Sequence, residues 1–412
     1  MNVVVLGAGR SGTSAAALLR REGHAVTVLD GDMPFPTANS STSTFNFSSL
    51  TFNFDLCVVS PGIALDHPWQ VAARAAGIPV VSELQLGASR FRGRMLAVTG
   101  SKGKSSVVKL VADGLSAAGF PAVPCGNYGT PLCEVALMEP PPAWAVVEVS
   151  SFQMETTDDF HPEASALLNL QDDHLDRHGS RAAYHALKLK LLEMSRQAFV
   201  PDDLAAAPRC ALARVAPEDF RALFAGSYFD NPVLAANGAL GAALMRAAGL
   251  DDAAIAAAFR GFAPLPHRMQ FVADVRGIRC IDDSKATSLA ALAAGVRMAA
   301  ASADACGVRL IAGGLPKGDN PNSVIPLLRS TVKKVYLIGC CANQFSDAWR
   351  ETVPCEVCGT LDRAVDAALR DACMGETVLL SPGTASFDQF KSYGERGDAF
   401  AALVKKEKED ER

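Results

Sequence analysis

The 412-residue chain has no excess of charge of either sign: 39 Lys and Arg stand against 44 Asp and Glu, a formal net charge of -5. With no basic footprint, wholesale nucleic-acid binding is not expected, although local basic patches can still hold phosphates. No apolar run reaches the length of a membrane span, so no membrane association is expected. The start, Met1-Asn2-Val3-Val4-Val5-Leu6-Gly7, has no basic region ahead of its apolar residues and reads as a buried strand, not a signal peptide. Eleven cysteines are present but scattered. The nearest grouping, Cys340-Cys341 followed by Cys355-x-x-Cys358, lacks the two clean ligand pairs of a structural zinc site. Free, mostly buried thiols in a reducing, cytoplasmic setting are the expectation. No repeat at solenoid periods is visible.

What is present is strand–loop–helix alternation in three segments, the pattern of α/β domains with parallel sheets. The length also suits two or three domains. The segment 1–88 opens with strand Val3–Leu6, a glycine loop, an Ala/Leu helix and strand Ala25–Leu29. A biased stretch from Thr37 to Phe54 reads as a surface loop plus a weak strand, before strand Leu56–Ser60 and the turn Pro61-Gly62. The segment 89–263 carries strands Met95–Thr99, Ala145–Val149 and Ala164–Leu168; the segment 264–412 carries Leu310–Ala312, Val335–Ile338 and Val378–Leu380. Ligands bind at the carboxyl ends of such strands, which is where Glu148 and the Asn169–His174 stretch fall.

Two glycine loops carry the sharpest chemistry. Gly100-Ser101-Lys102-Gly103-Lys104-Ser105 joins an apolar strand to a helix, so backbone N–H groups and the helix N-terminus face a phosphate. Lys104 would reach the β/γ-phosphates and Ser105 would sit on Mg²⁺, although Val98 stands where a full P-loop has its leading glycine. The alternative is a plain glycine-rich turn. Gly7-Ala8-Gly9-Arg10-Ser11-Gly12, with Asp30 ending the next strand, matches the dinucleotide fingerprint. It fits an NAD(P) oxidoreductase or any diphosphate-linked nucleotide, including a uridine diphosphate sugar. Glu148, at a strand end, is a natural oxygen ligand for Mg²⁺.

Taken together, the motifs resemble the Mur ligase family, and its glutamate-adding branch in particular. The matching stretches are VTGSKGKSS (98–106), CGNYGTPL (125–132), VEVSSFQ (147–153), NLQDDHLDRHG (169–179), ALKLK (186–190), HRMQFVADVRGIRCIDDSKATS (267–288), IAGGLPKGDN (311–320) and LSPGTASFDQFKSYGERGDAF (380–400). The resemblance implies three α/β domains: a Rossmann-like, UDP-sugar-binding domain over 1–88, a P-loop-type ATPase domain over 89–263 and a Rossmann-like, glutamate-binding domain over 264–412. It implies an ATP-dependent ligase joining glutamate to UDP-N-acetylmuramoyl-L-alanine in peptidoglycan biosynthesis, acting as a monomer. Two Mg²⁺ ions are implied, held by Ser105, Glu148, His174 and a carbamylated Lys188.

For ATP the resemblance implies Gly100, Ser101, Lys102, Gly103, Lys104, Ser105, Ser106, Asn237, His267, Arg268, Asp283 and Lys285. For the UDP-linked substrate it implies Gly12, Asp30, Ser60, Pro61, Gly62, Asn127 and Ser150. For glutamate it implies Thr287, Lys317, Ser386, Phe387 and Tyr393. Lys104, Asn127, His174 and Lys188 would serve catalysis. Three departures stand out: Lys102 replaces an asparagine, Asp230-Asn231-Pro232 replaces a His-Asn pair, and 195–227 is too short for the usual edge hairpin. A sister ligase adding another amino acid remains an alternative, because chirality cannot be read from residue types.

Overall fold

A computed structural model describes residues 1–31, 54–171, 173–205, 212–301 and 307–409. The stretch from Thr37 to Asn53 therefore lies outside the described residues, as does Asp172. The chain divides into two compact units, one of residues 1–230 and 234–262, the other of 231–233 and 263–412. The first unit carries two sheets and the second carries one.

The first sheet has the order β2-β1-β3-β4, with β1 Asn2–Leu6, β2 Ala25–Leu29, β3 Leu56–Val59 and β4 Val80–Ser82, all paired in parallel. The unbroken apolar run of β1 is explained by burial on both faces. Val3 and Val5 pack with Leu18 and Leu19 of helix Arg10–Arg21, whereas Val4 and Leu6 pack with Trp69 and Ala73. Because β2 and β3 flank β1 on opposite sides, the loops after β1 and β3 meet at a topological switch point, the usual ligand crevice.

The second sheet is parallel throughout, in the order β10-β9-β8-β5-β7-β6, with β5 Arg94–Thr99, β6 Ala122–Gly126, β7 Trp144–Glu148, β8 Ala164–Leu167, β9 Gln197–Pro201 and β10 Ala213–Val215. Strand order reverses at β5, and the loop leaving β5 is Gly100–Gly103. Leu96, Ala97 and Val98 of β5 and Val107, Val108, Leu110 and Val111 of helix Lys104–Ala117 are buried. The β9–β10 pair at one edge is parallel and so is not a hairpin.

The third sheet, β11-β12-β16-β13-β14-β15, is parallel except for the β11–β12 hairpin. Its strands are β11 Gln270–Val275, β12 Ile278–Asp282, β13 Val308–Gly313, β14 Val332–Ile338, β15 Cys355–Gly359 and β16 Thr377–Leu380. Three of these six strands, β13, β14 and β16, are legible in the sequence as apolar runs. The hairpin turns at Arg276 (φ 54°) and Gly277 (φ 74°), the double left-handed conformation of a tight hairpin turn. β15 carries Cys355 and Cys358, and among the described residues no group of three or more His, Cys, Asp or Glu is placed to hold a metal. Among the described residues, no helix is long and apolar enough to cross a membrane.

Candidate functional site

In the first unit the two nucleotide-type loops are built by close packing. A Cβ on Gly12 would lie 1.7 Å from the Gly7 carbonyl oxygen, and one on Gly7 (φ +93°) would lie 2.9 Å from Ser60. Only glycine fits either place. The Ala8 amide donates to Asp30 Oδ1 at 3.0 Å, and Ser60 Oγ lies 3.3 Å from the Gly7 carbonyl. Gly12, Asp30 and Ser60 thus converge, and the Pro61 and Gly62 carbonyls follow on the same turn, both accepting from Arg177. Arg10 donates to the Gly129 carbonyl at 2.8 Å, which ties this glycine loop to the Asn127–Gly129 turn.

The Gly100–Ser105 loop is braced from the end of β8. Asn169 Oδ1 accepts from the Ser101 and Lys102 amides (3.1 and 2.9 Å), and Asn169 Nδ2 donates to the Lys102 carbonyl at 3.0 Å. Gly103 adopts φ +86°, and a Cβ there would strike Asn237 Nδ2 at 2.3 Å. Asn237 is therefore packed against the loop. Ser101, Ser105 and Ser106 are buried. The Lys102 ammonium is paired with Asp173 at 3.4 Å, which offsets its extra charge.

Two lysines converge on one carbonyl. Lys104 Nζ donates to Gly100 O (2.8 Å) and Ser101 O (3.2 Å), and Lys188 Nζ donates to the same Gly100 O at 2.9 Å. Lys188 is 1% exposed. Burial, reinforced by the Lys104 charge, lowers its pKa to about 7 against the partial opposition of Asp173 and Glu148. Its ammonium also lies 4.6 Å from the centre of the Tyr184 ring. Tyr184, which the sequence reading passed over, donates to Ser101 Oγ at 3.1 Å. It sits four residues before Lys188 on helix Arg181–Met194, so the i, i+4 spacing was the available signal.

Glu148 is buried at the end of β7; its Oε1 accepts from Asn127 Nδ2 at 2.7 Å, and its Oε2 has no hydrogen-bond partner among the described residues. An unpaired buried carboxylate oxygen is costly unless a cation or water meets it. Beside a phosphate loop, a hard oxygen donor of this kind fits Mg²⁺ completed by phosphate oxygens. His174 is half exposed at φ 51°; its ring packs on Phe152 at 4.8 Å, and Nε2 lies 3.9 Å from Asp173. Ser150 caps the short helix Ser151–Met154 in a reciprocal box with Gln153.

In the second unit the residues named from the sequence gather at the carboxyl ends of β12, β13 and β16. His267 Nδ1 lies 2.6 Å from Asp282 Oδ2. Asp283 is buried, accepts from Ser381 Oγ (2.9 Å) and the Met269 amide (3.3 Å), and burial raises its pKa to about 7. The Lys285 amide donates to the His267 carbonyl, and Lys285 Nζ lies 3.9 Å from the centre of the Tyr393 ring. Arg268 follows His267, its amide donating to the Leu265 carbonyl. Lys317 Nζ lies 3.4 Å from Thr287 Oγ1. Ser386 is buried and Phe387 is 69% exposed.

Two further polar groups in this unit carry no signal in the sequence. Arg396 is buried and binds Ser284 Oγ and the carbonyls of Ser284, Thr384 and Ala385, fastening the 284 turn to the 384–386 turn. Burial lowers its pKa to about 10, so it stays a cation at neutral pH. Thr384 Oγ1 is buried without a hydrogen-bond partner among the described residues. Arg396 meets its Ser284 partner across 112 residues of sequence, and Thr384 Oγ1 has no partner among the described residues, so neither carries a spacing signal.

Three family descriptions match in chain order: the Mur ligase MurD-like N-terminal domain over residues 1–82, the Mur ligase middle domain over 98–215 and the Mur ligase glutamate ligase domain over 267–384. A protein of Acidobacterium capsulatum named UDP-N-acetylmuramoylalanine--D-glutamate ligase is 34% identical over 446 residues, covering 98% of this chain and 95% of its own. A protein of the same name from Nitratidesulfovibrio vulgaris is 36% identical over 421 residues, covering 97% and 95%. Among solved structures, the UDP-N-acetylmuramate-alanine ligase of Thermotoga maritima aligns with TM-score 0.61 at 15% identity, over 98% of this chain and 99% of its own. The MurF ligase of the same organism, in complex with ADP, aligns with TM-score 0.59 at 15% identity, over 87% and 96%. At such identities the structures speak for the fold, and the full-length relatives for the family. The chain belongs to the Mur ligase family of ATP-dependent, amide-bond-forming enzymes.

Proposed function

We propose that this ligase joins D-glutamate to UDP-N-acetylmuramoyl-L-alanine through an acyl phosphate, consuming ATP. The observation that carries the reading is the convergence of Lys104 and Lys188 on Gly100 O beside Glu148 Oε2, which has no hydrogen-bond partner among the described residues. It supports a site in which cations and carboxylate face the γ-phosphate. Phosphoryl transfer depends mainly on positioning and charge neutralisation, which is what these groups supply. The substrate carboxylate attacks the γ-phosphate and expels ADP; the glutamate amine then attacks the acyl-phosphate carbonyl, losing a proton and expelling phosphate to leave an amide.

Mg²⁺, when bound, would neutralise phosphate charge and orient the oxygens in line. Ser105 and Glu148 would hold one ion; His174 and Lys188 are assigned to the second. A Lys188 amine with a pKa near 7 is substantially unprotonated at neutral pH, and a neutral amine can add CO₂ to give an anionic carbamate. That chemistry supports the assignment of Lys188 as a carbamylated metal ligand. Asn127, held by Glu148, is assigned to the substrate near the reacting carboxylate. Gly12, Asp30, Ser60, Pro61, Gly62 and Ser150 are assigned to the UDP-linked substrate.

The Gly100–Ser106 loop with Lys102, together with Asn237, His267, Arg268, Asp283 and Lys285, is assigned to ATP; Thr287, Lys317, Ser386, Phe387 and Tyr393 are assigned to glutamate. The proposed setting is cytoplasmic, with the protein a monomer. The test is phosphate release with ATP, Mg²⁺ and UDP-N-acetylmuramoyl-L-alanine, comparing D-glutamate, L-glutamate and no amino acid. Release dependent on D-glutamate is expected. Preference for L-glutamate would move the reading to a sister ligase.

A further inference from the structure

We propose that Arg177 is a positioning residue that holds the Ser60-Pro61-Gly62 turn in register with the His174 segment. The proposal rests on the assignment of that turn to the UDP-linked substrate.

Arg177 lies on the single-turn helix Leu175–His178, which is bounded by left-handed residues, His174 before it and Gly179 after it. Its guanidinium forms a two-pronged pair with Glu155, Nε to Oε1 at 3.1 Å and Nη2 to Oε2 at 2.6 Å. The pair is enclosed: the two side chains are 17% and 5% exposed. The remaining donor capacity goes to three consecutive carbonyls, Pro61 (3.3 Å), Gly62 (3.4 Å) and Ile63 (3.0 Å). The Phe152 ring lies 4.8 Å under the guanidinium and the same distance from the His174 ring. His178 completes the cluster, with Nδ1 3.3 Å from Glu155 Oε1 and Nε2 3.0 Å from Ser151 Oγ.

A planar fork with five donors can serve a carboxylate and a row of carbonyls together, whereas a lysine offers a point charge on a flexible stem. The ion pair alone would hold Arg177 to Glu155. The three carbonyl contacts add something the pair does not need: they fix a turn of the first sheet to the segment that follows β8 of the second. A shift of that turn displaces the far end of the substrate from the carboxylate to be activated, and small misplacements cost rate and binding.

The test compares R177M and R177K with the parent enzyme, with D30N as a control on the nucleotide loop. R177M is expected to raise KM for UDP-N-acetylmuramoyl-L-alanine about tenfold, the loss of charged hydrogen bonds, and to leave KM for ATP and glutamate within about twofold. R177K is expected to keep the melting temperature near the parent's yet still raise KM for the precursor several-fold, because charge alone does not set the turn. If R177M does not fold, R177K decides. The proposal is overturned if D30N raises the precursor KM while the Arg177 variants do not, or if R177K restores both stability and KM. A D30N enzyme with unchanged precursor KM would instead overturn the nucleotide-loop assignment beneath it.

Discussion

Lys188 is the residue whose environment differs most from that of its free side chain. An ordinary lysine titrates near 10.5, and burial beside Lys104 brings this one to about 7. Between those values the unfolded chain binds a proton that the folded chain does not, so Lys188 makes stability rise with pH across that window. Below about pH 7 both states are protonated and the full cost of burying the ammonium is felt. Between pH 7 and 9.5 the stability of the parent relative to Lys188→Met, read by urea unfolding, should therefore shift in the parent's favour by about 3 kcal/mol. A difference independent of pH would show that Lys188 is not held as a desolvated amine. Activity should follow a separate course: Glu148→Gln, which keeps the shape but removes the charge, is expected to lower kcat on the order of a hundredfold, read from phosphate release at saturating substrates.

At the scale of elements, the phosphate loop owes its shape to a neighbouring strand end as much as to its own glycines. Asn169→Ala would leave the Ser101 and Lys102 amides without their side-chain acceptor. KM for ATP should rise about tenfold and stability should fall by about 1–3 kcal/mol, both measurable by titration and by urea unfolding. The glycine loops and the strands leading into them were legible in the sequence because burial on both faces leaves a continuous apolar run, as in β1 and β5. The β11–β12 hairpin was not. Its turn is Arg276-Gly277 rather than Asn-Gly, and Arg276 at φ 54° is a residue type that does not announce a left-handed position. β15, Cys-Glu-Val-Cys-Gly, likewise lacks a continuous apolar run, so the sequence gives no strand signal there.

On the scale of the whole molecule, the substrate assignments fall unevenly on the two units. Asp30 and Lys104 belong to the first, and Lys317 and Thr287 to the second. Asp30→Asn should therefore raise KM for the UDP-linked precursor, and Lys317→Ala should raise KM for glutamate about tenfold, each leaving the other constant within about twofold; steady-state kinetics with one substrate varied at a time checks both. The family was legible because its motifs run in order along almost the whole chain. The bracing roles of Asn169, Tyr184, Arg177 and Arg396 are not legible in the sequence, because each has a partner 67 or more residues away. The proposed reaction depends on the precursor's carboxylate taking the γ-phosphate before any amide forms. The direct measurement is turnover with precursor labelled with ¹⁸O in its terminal carboxylate, followed by mass analysis of the released phosphate. One ¹⁸O transferred to phosphate per amide formed is predicted. Unlabelled phosphate accompanying product would contradict the acyl-phosphate route.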